Sequence, residues 1–179
     1  NGGKQVAVLV PTTLRVFQGE HELRPDEQPL HRAAHSGQAV PAFEAHVQRG
    51  THLLLAGKSD AAAEALKAAL ELQPGSARAF QILGDIYAGA DQADQAILHY
   101  RKALEIEPGN VRIRLALGEV LVQAKRPQEA FAEAEAVLAA DAANRFALDL
   151  KGRALRDLRR FAEAEAAADA LVAADPKDA

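Results

Sequence analysis

Four glycines stand 34 residues apart in this chain: Gly50, Gly84, Gly118 and Gly152. Twelve residues beyond each lies an alanine, at Ala62, Ala96, Ala130 and Ala164. Twenty-four beyond the glycines come Pro74, Pro108 and Pro176, with Ala142 the one exception. A fixed period carried by small residues and prolines marks a repeat array. It restricts the fold to architectures in which one supersecondary unit stacks on the next.

The clearest copy is 77–110, ARAFQILGDIYAGADQADQAILHYRKALEIEPGN. Its apolar residues recur every three or four positions through Phe80, Leu83, Ile86 and Tyr87, and again through Ala96, Ile97, Tyr100, Ala103 and Leu104. This is the period of two amphipathic helices. Ala88–Asp91 separates them, with Asp91 as the expected N-cap, and Glu107-Pro108-Gly109-Asn110 ends the second. A mid-helix glycine costs roughly 1 kcal/mol against alanine. The expectation is therefore that all four glycines serve close packing, with the partner helix approaching Gly84 through Ala96.

Phe80, Leu83, Gly84, Tyr87, Ala96, Tyr100, Ala103 and Pro108 resemble the pattern of the tetratricopeptide repeat. The other copies, Phe43–Ser76, Val111–Asn144 and Arg145–Asp178, follow it with departures: His46 and Arg114 replace the first large residue, and Arg49 and Lys151 the leucine. The resemblance implies an all-α solenoid of four tandem helix-turn-helix repeats, a right-handed superhelix whose first helices line the concave face. The expected helices are 43–56, 59–72, 77–89, 93–106, 111–124, 127–140, 145–158 and 161–174, with Ser59 or Asp60 as an N-cap. Residues 1–42 form a non-repeat extension. There Gln5–Val10 and Thr13–Phe17 favour strands, and Gln28–Ser36 a short helix.

Alanine inflates an apolar content of 49%, while aromatic residues make up only 4%, a mix that suits thin, closely packed helices. A net charge of −4 supplies no general field for nucleic acid or an anionic membrane. The absence of cysteine removes disulfides, thiol nucleophiles and thiolate metal sites. No apolar run approaches the roughly 18 residues of a membrane helix. Alanine richness with arginine in excess of lysine points to a bacterial source, with cytoplasm and periplasm both open.

Catalytic and metal signatures are wanting. His31 and His35 share the spacing of a helical ligand pair, but no glutamate follows the first histidine as in a zinc hydrolase. Glycine clusters that would cradle phosphate are missing, and no cofactor is implied. Glu133/Glu135 and Glu163/Glu165 point apart on a helix and read as solubilising charge.

The resemblance places the informative residues on the concave face. They are Val47, Thr51, Arg78, Gln81, Ile82, Asp85, Arg112, Leu115, Glu119, Phe146, Asp149, Leu150, Arg153 and Arg156. The family's clamp for chaperone C-terminal carboxylates does not appear among them. The resulting expectation is a non-catalytic scaffold that binds a protein or peptide segment of some acidic character in the groove. Arg78, Arg112, Arg153 and Arg156 would hold carboxylates between apolar spots at Ile82, Leu115 and Leu150. The alternative is a repeat module of a longer bacterial enzyme of glycosyltransferase or sulfotransferase type. The apolar last helix further implies either more residues in the native protein or self-association through the C-terminal repeat.

Overall fold

The computed structural model describes residues 41–174. The expected strands at Gln5–Val10 and Thr13–Phe17, the helix at Gln28–Ser36, the histidines His21, His31 and His35, and Pro176 all lie outside the described residues. Within them are eight helices: α1 Ala42–Leu55, α2 Ser59–Leu72, α3 Ala77–Gly89, α4 Ala93–Ile106, α5 Val111–Gln123, α6 Pro127–Leu138, α7 Arg145–Asp157 and α8 Phe161–Ala174. No strand occurs among these residues, and the helices lie where the apolar period places them, ending up to two residues early.

Two kinds of turn alternate. Between repeats, Ser76, Asn110 and Asn144 cap α3, α5 and α7. Their side chains accept from Ala79 N at 3.2 Å, Ile113 N at 3.2 Å and Ala147 N at 3.1 Å. Such a cap contributes about 1 kcal/mol. Within each repeat the first helix ends on a left-handed residue: Gly57 (φ 72°), Asp91 (φ 57°), Lys125 (φ 58°) and Arg159 (φ 59°). The following N–H then reaches back to a carbonyl five residues earlier, Lys58 to Leu53, Gln92 to Tyr87, Arg126 to Leu121 and Arg160 to Leu155, each at 2.9 Å. This is a Schellman closure. It corrects two expected N-caps. Asp91 is spent on the left-handed turn, so Gln92 precedes α4 without a side-chain cap. Ser59 is already the first residue of α2, with Lys58 before it.

The first helices α1, α3, α5 and α7 touch one another in succession, whereas the second helices touch only the first helices beside them. The row of first helices is therefore the shorter edge of the stack, its concave side. Three of the four glycines are filled slots. A Cβ at Gly50 would lie 2.8 Å from Leu66 Cγ, and one at Gly84 2.5 Å from the Tyr100 ring. At Gly118 it would overlap Leu150, which reaches in from the next first helix. The atoms nearest a Cβ at Gly84 thus belong to a phenol ring from α4, while at Gly50 the Ala62 carbonyl, at the place equivalent to Ala96, also comes within 3.3 Å. Gly152 departs from the expectation, because a Cβ there meets only the Ala167 methyl, at 3.9 Å.

Departures from the repeat pattern become ion pairs. Arg114 donates to Glu133 at 2.7 Å and to the Pro108 carbonyl at 2.8 Å. Lys151 reaches Glu135 at 2.7 Å, its ammonium 5.8 Å from the Phe131 ring centroid. Arg49 Nε, by contrast, is buried with no partner among the described residues.

His99 on α4 is stacked on Tyr87 at 5.2 Å and lies 6.0 Å from Phe80. Its Nδ1 is buried without a partner. Burial first, then the charges of Lys102 and Lys67, lowers its pKa below the ordinary histidine value. The unfolded chain therefore takes up this proton first on acidification. The stability that neutral His99 contributes is whole above the unfolded pKa of roughly 6.5 and is lost as pH falls through the folded value. Melting at pH 7.5 and pH 5.0 is expected to show a smaller acid loss for His99→Phe than for the parent; equal losses would assign the effect elsewhere.

Candidate protein-binding surface

Residues at the same place in successive first helices lie side by side, and the concave face is a set of such rows. One row runs Glu44, Arg78, Arg112, Phe146; another Thr51, Asp85, Glu119, Arg153. Glu44 accepts from Arg78 at 3.3 Å. One Arg153 nitrogen donates to both oxygens of Glu119, at 2.7 and 2.8 Å, and to Asp149 at 3.5 Å. With its amide oriented toward the guanidinium, Gln81 Oε1 accepts from Arg112 Nε at 3.1 Å and Nη2 at 3.0 Å. Asp85 accepts from the Tyr100 hydroxyl at 2.7 Å. Burial, and then this hydrogen bond to Asp85, pushes the Tyr100 phenol well above its ordinary pKa, so it remains a donor.

Several expected groove residues are therefore engaged within the chain. Val47 and Leu150 are fully buried and leave the surface set altogether. Val47 belongs to the core beneath α1, and Leu150 is the side chain seated over Gly118. Thr51 spends its hydroxyl on the Val47 carbonyl at 3.0 Å. Ile82 and Leu115 are half-buried against the core. Arg78 and Arg153 have their charge matched by carboxylates, so the basic row is weaker than the sequence implies.

Three features remain available. Arg112 is held by a neutral amide and keeps its charge uncompensated there. Phe146, next in its row, is 74% exposed. Arg156 is exposed and makes no ion pair with a described residue. Glu44 was the residue missed in reading the sequence. The 34-residue offset that sets it beside Arg78 was the signal that could have found it. Among the described residues no three His, Asp or Glu side chains converge as a metal site requires, and no helix is long and apolar enough to cross a membrane.

Stacked helical hairpins with an inner row of first helices define an α-solenoid of the kind that serves as an interaction scaffold. Two family models, both described as tetratricopeptide repeat, match residues 47–111 and 87–151, together more than half of the chain. The chain belongs to the tetratricopeptide repeat proteins. Among solved structures it is similar to MamA, at TM-score 0.70 and 21% identity, over 75% of this chain and 74% of the other. A MamA fragment from Desulfovibrio magneticus RS-1 gives TM-score 0.71 and 22% identity, over 76% and 77%. YrrB, described as a TPR protein with an unusual peptide-binding site, gives TM-score 0.68 and 20% identity, over 86% and 76%. A search of curated proteins gave no match.

Proposed function

We propose that this chain is a non-catalytic scaffold whose repeats, residues 43–178, bind an extended protein segment along the concave face, with residues 1–42 as a separate extension. The observation that carries the reading is the row Arg78, Arg112, Phe146. Two guanidiniums are followed by a phenyl ring left 74% exposed where burial would be favourable. An exposed aromatic beside arginine on a concave surface is the composition of binding hot spots. Arg112 supplies a charge-assisted fork for a carboxylate, and the half-buried Ile82 and Leu115 supply apolar floor between the rows. The segment therefore carries acidic and apolar residues in extended form. The likeness to YrrB supports a peptide as the kind of partner.

The test is the double variant Arg78→Ala/Arg112→Ala, with Phe146→Ala alongside. The affinity of a segment mapped by cross-linking to the protein is measured at low and high salt. Each variant is expected to weaken binding at least tenfold with its melting temperature unchanged, and the double variant to remove most of the salt dependence. Unchanged affinity in both would move the site off the concave face.

A further inference from the structure

Each residue of the row Glu44, Arg78, Arg112, Phe146 is the second or third of its helix, so the row runs along the edge at which the chain enters α1. Pro41 precedes that helix in an extended conformation, at φ −50° and ψ 138°. Glu44 closes the α1 end of the row on Arg78, leaving Arg112 and Phe146 open. The four carboxylates named on this face each have a donor already. Glu44 has Arg78, Asp85 has the Tyr100 hydroxyl, and Glu119 and Asp149 share Arg153. Arg112 has only the neutral amide of Gln81. Packed helices lie 8–10 Å apart, and three residues of extended chain cover about 10 Å. A segment crossing the row toward α1 therefore sets an apolar residue on Phe146 and a carboxylate three residues later against Arg112.

We propose that the resident occupant of this part of the groove is the chain's own residues 17–29, an inference that rests on the reading of the concave face given above. The sequence there, FQGEHELRPDEQP, carries the required spacing twice, as Phe17 then Glu20 and as Leu23 then Asp26. It holds four carboxylates against one arginine, complementary to the uncompensated guanidinium of Arg112. Pro25 and Pro29 favour extended backbone for themselves and for the residues before them. The tether is long enough. From Asp26 to Pro41 the chain can span up to about 50 Å, whereas α5 lies two first helices from α1, roughly 20 Å at the usual spacing. A tethered segment meets its groove at an effective concentration that reaches about millimolar for short linkers. An external segment therefore binds by displacing residues 17–29, which act as a built-in competitor.

The probe is a fluorescein-labelled peptide of residues 17–29, added to the whole protein and followed by anisotropy. It is expected to bind saturably to a whole-chain variant carrying Phe17→Ser, Glu20→Lys, Leu23→Ser and Asp26→Lys, and at least tenfold more weakly to the parent. Adding Arg112→Ala or Phe146→Ala to the variant should weaken its binding at least tenfold, with the melting temperature unchanged. Independently, a photoreactive benzoylphenylalanine in place of Leu23 should cross-link within one chain to α5 or α7. No saturable binding to the variant, equal binding to variant and parent, or cross-links confined to the second helices overturns the assignment. So does a dimer of the parent, seen by sedimentation, that the four substitutions dissolve, since the occupant is then the segment of a second copy. The two readings fail separately: a partner segment whose binding still requires Arg112 and Phe146 upholds the proposed function even where the 17–29 peptide does not bind.

Discussion

Gly84→Leu is expected to destabilise the protein by about 3 kcal/mol, the upper part of the range for overpacking a closed core. Even a methyl at this position meets the Tyr100 ring at 2.5 Å. That ring cannot swing aside cheaply, because it is 2% exposed and its hydroxyl is hydrogen-bonded to Asp85 at 2.7 Å. Gly152→Ala carries the opposite sign. Its new Cβ makes an ordinary contact with Ala167 at 3.9 Å, and the exchange removes a mid-helix glycine worth roughly 0.8–1.0 kcal/mol. Urea unfolding of both variants beside the parent is the measurement. If the two changes moved stability in the same direction, slot filling would not be what distinguishes the glycines.

Leu150→Ala is the second large effect, with an expected loss of about 2–5 kcal/mol. Leu150 is fully buried and is the only contact that closes the slot over Gly118 among the nearest atoms there. Its removal leaves a cavity that Ala134 is too short to fill. A leucine lining an open groove would cost far less, since surface substitutions usually fall within about 0.5 kcal/mol. The midpoint of urea unfolding therefore separates a seam residue from a groove residue without knowledge of any partner. A double variant, Gly118→Ala/Leu150→Ala, is expected to recover part of the loss, because the new methyl occupies space that the leucine vacates. Full additivity of the two single changes would argue that they do not share one slot.

Much of the fold was legible before any coordinates. The 34-residue period and the apolar spacing within it set the number and bounds of the helices, because a helix that buries one stripe must repeat its apolar residues every three to four positions. Pro127 at the first turn of α6 and the prolines between repeats mark their places through what proline forbids. The left-handed turn after each first helix was legible only at Gly57. Asp91, Lys125 and Arg159 adopt the same conformation within the same hydrogen-bonded closure, with no glycine to announce it.

Tertiary structure alone decided which small residues are filled and which groove residues are free. Gly118 and Gly152 are the same residue at the same place in the repeat, yet Leu150 closes the first and nothing described closes the second. The difference lies in Leu150, which the next first helix carries to Gly118 from 32 residues along the chain, a contact that no local pattern encodes. Val47 and Leu150 read as groove residues by position, but both are fully buried, Val47 in the core beneath α1 and Leu150 against Gly118. The arginine row read as basic from the chain, and space gave Arg78 and Arg153 their carboxylates from the preceding repeat. Composition and period establish that helices stack, because burial of an apolar stripe depends on its spacing. Charge pairing and slot occupancy depend on distances of a few ångströms between residues 34 apart, and those are properties of the stack.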